Sequence, residues 1–308
     1  SVLRRARQGL STGMLQVLRL RAKAMEAVRQ FFAERDFIEV ETPAIVPSPG
    51  LDFHLSAFEV RDSEGATVGW LATSPEYQMK RLLSGGAERI FQLCRSYRAD
   101  EQGRHHEREF TMLEWYRAHA SSEAIIRDTE GLVAQVAKTL GSPEAAALCP
   151  PWDRITVNEA FDQHAGRVID ADDEELFFRV WAERVQPQLG GERPVVVTDW
   201  PASMASLAKL KENGTADRFE AFFRGIELCN GFGELTDARE QRRRFELNQA
   251  ARSQAGLPVY PIDERFLQAL ERGMPESGGN ALGVDRLLML LTGASSIQSV
   301  MPFPAEEL

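Results

Sequence analysis

Phe91–Arg98 reads FQLCRSYR and Glu109–Tyr116 reads EFTMLEWY. The fold turns on these two stretches. Each belongs to an apolar, aromatic-rich run of strand length, Ile90 to Arg98 and Phe110 to Arg117. The residues between them, Ala99 to Glu109, are polar and charged. An antiparallel pair joined by a long charged loop is the simplest connection. Side chains alternate across a strand, so Glu114 and Tyr116 share one face, and Arg98 ends the preceding strand. An arginine, a carboxylate and a phenol on one sheet surface make a polar site where a plain core would be apolar. An exposed face with a surface ion pair explains the same spacing more blandly.

Outward from this pair, a helix is predicted over Met14 to Arg35. Leu15, Leu18, Ala22, Met25, Val28 and Phe32 give it one apolar face. Phe37 to Val40 is a short apolar segment, and Pro43 to Gly50 is irregular. Val68 to Ala72 reads as a buried strand. Ser74 then suits an N-cap, Pro75 the first helical position and Glu76 the first turn of a helix ending at Gly85-Gly86. A long helix over Ser122 to Leu140 stops at Gly141, and Ser142 to Pro151 is a connector. Trp152 to Gly214 alternates short helices and strands. Phe219 to Leu235 is strand-rich, with helices following at Asp237 to Gln254 and Asp263 to Glu271. A glycine-rich stretch, Ser277 to Gly283, leads into an apolar helix, Val284 to Leu291. Strands adjacent in sequence look antiparallel rather than spaced by crossover helices. That favours an α+β domain, an antiparallel β-sheet flanked by helices, over a doubly wound fold. No Walker loop or GxGxxG fingerprint is present.

With 43% hydrophobic and 27% charged residues over 308 positions, the chain is globular in composition. No apolar run reaches the ~18 residues of a membrane span. Cys94, Cys149 and Cys229 lie far apart and form no zinc pattern. An odd, unclustered count suits a reducing compartment, so the protein is expected in the cytoplasm. A net charge of −10 disfavours general nucleic-acid binding. The first 25 residues are locally basic, with Arg4, Arg5, Arg7, Arg19, Arg21 and Lys23 and no acid. Residues 1–13 are expected to form an exposed basic arm, with an acidic partner surface as the sharper alternative, and residues 14–308 the catalytic domain.

Two further segments carry chemistry-bearing residues. Glu220, Glu227, Asn230 and Glu234 interrupt an apolar run, where acids are costly unless a cation pairs with them. Mg²⁺ or an ammonium group would serve. In a hairpin turning near Phe223-Arg224, Glu220 and Glu227 would lie roughly opposite and share a metal; acids simply facing water are the alternative. In Gly278-Gly-Asn-Ala-Leu-Gly283-Val-Asp-Arg286, glycines permit close backbone approach to a ligand. Arg286 falls in a helix's first turn, where a cation opposes the macrodipole, so a phosphate would account for it as well as a plain loop would. His105-His106 fit a phosphate better than a metal, and Arg242-Arg243-Arg244 fits a solvated helix face.

Together these segments resemble the catalytic domain of class II aminoacyl-tRNA synthetases in the lysine branch. Val40-Glu-Thr-Pro43 looks like the first signature, which builds the dimer interface in that family. Phe91 to Tyr116 looks like the second, and Gly283-Val-Asp-Arg286 like the third. Lysyl-tRNA synthetases carry an anticodon-binding barrel before the catalytic part, whereas about 40 residues precede Pro43 here. The closer resemblance is to the elongation factor P–(R)-β-lysine ligases. It rests on Thr73 to Leu83, Phe91 to Tyr97, Phe110 to Arg117 and Asn230 to Glu240, and on Ala281 where the tRNA synthetases usually have glycine.

The resemblance implies activation of (R)-β-lysine or lysine by ATP and Mg²⁺, and transfer to a lysine of elongation factor P. It implies a homodimer, with tRNA not expected as acceptor. A lysyl-tRNA synthetase-like enzyme with another acceptor, and a noncatalytic sensor of an amino acid or nucleotide, are the alternatives. By resemblance, Glu76 holds the backbone-side amine, with Ser74 and Pro75 beside it. Glu234 and Tyr116 bind the side-chain ammonium, with Glu114 and Asn230 supporting, and Ala281 reshapes the pocket. Arg98 bridges the substrate carboxylate and the α-phosphate. Ala99, Asp100 and Glu107 lie where the family contacts adenine, although Ala99-Asp100 replaces Asn-Glu and Glu107-Arg108 replaces Asn-Pro. His106 stacks near or binds the phosphates. Glu220 and Glu227 hold Mg²⁺, Leu228 lines the nucleotide, Gly283 lets the adenosine approach, and Arg286 binds the γ-phosphate.

Overall fold

The computed structural model describes residues 12–308. Its centre is the expected antiparallel pair, β5 (Arg89–Tyr97) and β6 (Glu109–Ala118), with Leu93 opposite Leu113 and Gln92 opposite Glu114. Around it runs an eight-stranded sheet. The order is β1 (Ile38–Glu39), β5, β6, β11 (Ser277–Gly283), β10 (Ile226–Gly233), β9 (Arg218–Phe223), β8 (Val195–Thr198) and β7 (Asp153–Thr156). Only the two outer pairs, β1 with β5 and β7 with β8, are parallel. The α+β reading with a mainly antiparallel sheet therefore holds.

Alternation gives this sheet two unlike faces. Phe91, Leu113, Trp115, Phe219, Cys229 and Leu282 point to one side and are buried. There they meet α1 (Thr12–Ala33), α3 (Ser122–Leu140) and α8 (Val284–Thr292). Each large apolar side chain so buried stabilises the fold by roughly 1.5–3 kcal/mol. The other face carries the polar residues and stays partly open. It is flanked by α2 (Glu76–Ser84), α6 (Ala238–Gln254) and α7 (Glu264–Gly273), which share a smaller core in which the Tyr77 and Phe266 rings stack at 4.7 Å. A three-stranded sheet, β2 (Ile45–Val46), β4 (Thr67–Leu71) and β3 (Glu59–Arg61), lies in the order β2-β4-β3. Residues 157–222 form a third core with α4 (Val157–Ala165) and α5 (Glu174–Val180).

The helix over Ser122–Leu140 ends at Gly141, whose φ of 65° is the left-handed cap a glycine supplies. Several expectations need correction. The glycine-rich stretch, to which the sequence assigns no element, is the central strand β11, hydrogen-bonded on both sides. Val68 lies in a strand as expected but is 54% exposed, not buried. On α1 the packed face is Ala24, Ala27, Val28, Phe31 and Phe32, and Leu15 and Ala22 are exposed. The helix expected from Pro75 begins one residue later, with Pro75 as its cap. The basic arm falls outside the described residues apart from Thr12 and Gly13, which open α1. Arg21 is turned inward: its guanidinium donates to Asp285 Oδ1 at 2.6 Å and to the Val300 carbonyl at 2.9 Å. No described helix is long and apolar enough to cross a membrane.

Candidate active site

The open face of the sheet lines a cleft of about 440 Å³. β6 contributes Met112, Glu114 and Tyr116; β11 contributes Gly279, Ala281 and Gly283; β10 contributes Asn230 and Phe232, with Glu234 just beyond its end. Ala281 pairs with Glu114 on one side and Asn230 on the other, so these three form one row across the sheet. The glycine at 279 has a local cause. A Cβ there would stand 2.3 Å from the Tyr116 ring and 2.6 Å from Glu234 Oε1.

The deep end of the cleft is acidic and buried. Glu114 and Glu234 are each 1% exposed. The Tyr116 hydroxyl donates to Glu114 Oε1 at 2.5 Å. Glu76 opens α2, and its N–H donates to Ser74 Oγ at 3.1 Å. The Lys80 ammonium, also 1% exposed, donates to Glu76 Oε1 at 2.6 Å and pairs with Glu234 Oε2. Glu114 Oε2, Glu234 Oε1 and Asn230 Oδ1 are buried acceptors with neither a hydrogen-bond nor an ion-pair partner among the described residues. Leaving such groups unpaired costs free energy, and an ammonium has three donors to offer them. Burial, and then the Glu76 charge, push the Glu114 carboxyl up to about 8. Burial also pushes Glu234 up to about 8, against the opposing pull of Lys80 and with Glu76 adding to it. Burial and the neighbouring carboxylates hold the Tyr116 phenol well above its usual range.

The shallower end is built from the β5–β6 loop, the β9–β10 hairpin and the start of α8. Arg98 Nη1 donates to Glu101 Oε1 at 3.1 Å, its guanidinium lies 5.1 Å from the Phe110 ring centre, and its buried Nε has no partner. Arg286 donates from Nε to the His105 carbonyl at 3.1 Å and lies 3.8 Å from the Glu227 carboxylate. Asp285 fixes the turn that carries Arg286. It accepts from Arg21, and its Oδ2 accepts the Thr111 N–H at 2.7 Å. Burial and then Arg286 lower the pKa of both His105 and His106, which favours the neutral rings. A Cβ on Gly283 would meet only the Arg286 side chain, at an ordinary 3.7 Å. Nothing in the protein itself demands glycine there.

The hairpin turns at Arg224-Gly225, with φ of 53° and 74°. Its register differs from expectation: Glu227 pairs with Phe222, and Glu220 with Asn230. The turn lies one residue beyond Phe223-Arg224, which moves the partner of Glu220 from Glu227 to Cys229, and a bulge between Glu227 and Cys229 moves it on to Asn230. Glu227 and Asn230 are three apart and would otherwise point to opposite faces; the extra residue puts both in the cleft. Glu220 and Glu227 still influence one another. Burial raises the Glu220 carboxyl to about 7, Arg218 opposing and Glu227 adding to the rise. Among the described residues no three His, Cys, Asp or Glu side chains form a metal-ligand group. Two carboxylates suffice for Mg²⁺ when phosphate oxygens and water complete its shell, and a cation between them would relieve their mutual repulsion.

The cleft wall thus gathers Ser74, Glu76, Glu114, Tyr116 and Ala281 with Asn230 and Glu234 at the deep end. Arg98, His106, Glu107, Gly283 and Arg286 join Glu220, Glu227 and Leu228 towards the mouth. Pro75, Ala99 and Asp100 are not brought to the wall. Pro75 caps α2, the Ala99 N–H is taken by the Ser56 carbonyl at 2.8 Å, and Asp100 is exposed in the turn. Glu101, the next acid, lines the cleft in its place. Glu107 is on the wall, but its carboxylate already accepts from Gln298 at 2.8 Å.

Sequence reasoning missed three features. Lys80 sits with Tyr77 and Leu83 on the buried side of α2, a spacing that marks it as turned inward. Arg218 lines the cleft, donates to Glu220 at 2.5 Å and stacks 4.7 Å from the Trp200 ring. Ser48 to Leu55 forms one wall. Arg252 pins it by donating to the carbonyls of Asp52, Phe53 and Leu55 at 2.9, 3.0 and 2.9 Å.

Comparison with known proteins agrees with this architecture. Residues 4–307 match the family "tRNA synthetases class II (D, K and N)". The elongation factor P–(R)-β-lysine ligase of Erwinia tasmaniensis is 43% identical over 305 residues, covering 93% of this chain and 94% of that protein. Its counterpart in Edwardsiella ictaluri has the same identity and coverage, and that of Salmonella paratyphi B is 42% identical over 316 residues. The chain belongs to the class II tRNA synthetase family, in the group of the elongation factor P–(R)-β-lysine ligases.

Proposed function

We propose that this cleft activates (R)-β-lysine or lysine with ATP and transfers the aminoacyl group to the ε-amine of a lysine on elongation factor P. One observation carries the substrate class. Three buried, unpaired acceptors, Glu114 Oε2, Glu234 Oε1 and Asn230 Oδ1, share the deep end with the Glu76 carboxylate. A diamino acid brings an ammonium to each end of such a pocket. The two arginines nearer the mouth suit anions: the substrate carboxylate and the phosphates of ATP.

In the first step a carboxylate oxygen of the amino acid attacks the α-phosphorus, and pyrophosphate leaves. Both reactants are anionic. Arg98, with its unpaired Nε, would bridge the carboxylate and the α-phosphate and stabilise charge as it spreads in the transition state. Arg286 would hold the terminal phosphate, with His106 alongside. Gly283 would leave room for the nucleoside. Glu220 and Glu227 would hold Mg²⁺, which supplies charge neutralisation on the phosphates when bound. In the second step the neutral amine of the acceptor attacks the carbonyl carbon of the mixed anhydride. An amide bond forms, AMP leaves, and the amine gives up a proton. Holding the adenylate against the amine supplies much of the rate. Modification of a translation factor places the reaction in the cytoplasm. Ile38 and Ile45, exposed at 62% and 50%, flank the Val40–Pro43 segment and mark the surface proposed for a homodimer.

The test is ATP–pyrophosphate exchange with (R)-β-lysine, lysine and norleucine. Exchange driven by the diamino acids and not by norleucine, which lacks the terminal amine, is the expected result. Equal exchange with norleucine would remove the acidic pocket from substrate recognition.

A further inference from the structure

The deep end of the cleft contains one cation that the activation chemistry does not use. Lys80 lies one turn after Glu76 on α2, a helix held by the Tyr77 ring stacked on Phe266. Its ammonium is 1% exposed, donates to Glu76 Oε1 at 2.6 Å, pairs with Glu234 Oε2, and lies 5.9 Å from the Tyr116 ring centre. A buried ammonium is costly unless well paired, and here two carboxylates pair it. The pairing takes one oxygen from each. It leaves Glu234 Oε1 without a partner.

Charge matching gives this arrangement a purpose. Two substrate ammonium groups favour the charged forms of the pocket carboxyls. With Glu114 and Glu234 so ionised beside Glu76, the acids carry three negative charges and Lys80 removes one. The remainder equals the two ammonium groups of a diamino acid. We propose that Lys80 is a positioning and specificity residue: clamped between Glu76 and Glu234, it aims their free oxygens into the cleft and sets the pocket's charge to fit a substrate with two ammonium groups. This rests on the reading of the cleft as a diamino-acid activation site.

The charged and titratable groups facing Lys80 are Glu76 on its own helix, Glu114 and Tyr116 on β6, and Glu234 after β10. Asp217, just before β9, adds to the field at Glu234. With Lys80 removed, these acids lose their resident cation. They hold protons to higher pH, and a protonated carboxyl cannot pair with an ammonium. The loss should therefore be greatest at low pH and shrink as pH rises.

The test compares Lys80→Met, Lys80→Gln and Lys80→Arg with the wild type in pyrophosphate exchange from pH 6 to 9, with circular dichroism as the folding control. In Lys80→Met and Lys80→Gln the KM for the diamino acid at pH 7 rises about 10- to 100-fold, and the KM for ATP stays within about twofold. The deficit narrows towards pH 9, and Lys80→Arg recovers most of it. A diamino-acid KM unchanged in the folded Met or Gln variant would overturn the proposal. So would a pH-independent deficit affecting both substrates. If Met and Gln variants both fail to fold while Arg folds, the buried charge serves the fold and the proposal falls. Absence of exchange by the wild type with either diamino acid would overturn the functional reading and this inference together; a wild-type signal without a Lys80 effect overturns only the inference.

Discussion

Replacing Arg98 with alanine separates catalysis from stability. In the protein without substrate, Arg98 makes one ion pair, with Glu101 at 3.1 Å, and both side chains keep contact with solvent. Partly exposed pairs contribute about 0–1 kcal/mol. The guanidinium also lies 5.1 Å from the Phe110 ring centre, an arrangement worth about 0.5–1 kcal/mol. Losing both costs about 0.5–2 kcal/mol, a fall in melting temperature of at most a few degrees. Its buried Nε has no partner among the described residues, so a donor is already desolvated before any substrate arrives. Removing one such preorganised donor costs about 2.7–4 kcal/mol of transition-state stabilisation. At 1.36 kcal/mol per decade, adenylate formation should fall about 10²- to 10³-fold. Pyrophosphate exchange at saturating ATP and amino acid measures this, with a thermal melt on the same sample. Exchange within about fivefold of wild type would refute the role given to Arg98. Collapse of the melt would show that Arg98 supports the fold instead.

Three further outcomes follow from the same geometry. Burial first of all raises Glu114 and Glu234 to about 8 and Glu220 to about 7, from an ordinary 4.5. Stability from these groups is complete below about pH 4.5 and is lost as pH rises through 7 to 8. The melting temperature of the protein without substrate should therefore decline across that window, and saturating lysine should flatten the decline. Glu240, held down to about 2 by Arg243 and Arg244, acts with the opposite sign and only in acid. A melting temperature that climbs between pH 5 and 8 would contradict these directions. Gly279→Ala, whose new Cβ would press on the Tyr116 ring and Glu234, should raise the diamino-acid KM at least tenfold in exchange assays and spare the ATP KM. Ala281→Gly removes a methyl lying between Glu114 and Asn230, and should move preference from β-lysine towards α-lysine by about 10- to 100-fold, read as a ratio of kcat/KM values.

Much of this was legible from the chain. The FQLCRSYR and EFTMLEWY strands are amphipathic with a period of two, and their register follows from that. The helix at Ser122–Leu140 has a full apolar stripe and a glycine stop. The glycine stretch over residues 277–283 carries no strand signal in sequence, because strand propensity resides in side chains and glycine has none. What makes it a strand is tertiary: the Ile125 and Tyr116 side chains occupy the space where Cβ atoms would stand. The exact turn position at Arg224-Gly225 and the bulge beside Glu227 leave no mark in a single sequence either, and together they set Glu220 opposite Asn230 instead of Glu227. Lys80, four residues after Glu76, reads as an ordinary surface pair on a helix. Only its place between Tyr77 and Leu83 reveals that it points inward. Ala99 and Asp100 were carried over by position, and the turn after β5 directs Glu101 to the cleft instead.

The most direct measurement follows the amino acid to its acceptor. The protein is incubated with ATP, Mg²⁺, elongation factor P and total tRNA, with isotope-labelled (R)-β-lysine in one reaction and labelled lysine in another. Protein and RNA are then separated and the label in each is counted. Label on elongation factor P, greater with β-lysine, is the predicted result. Label on tRNA, or none on either acceptor while ATP–pyrophosphate exchange proceeds, would contradict it.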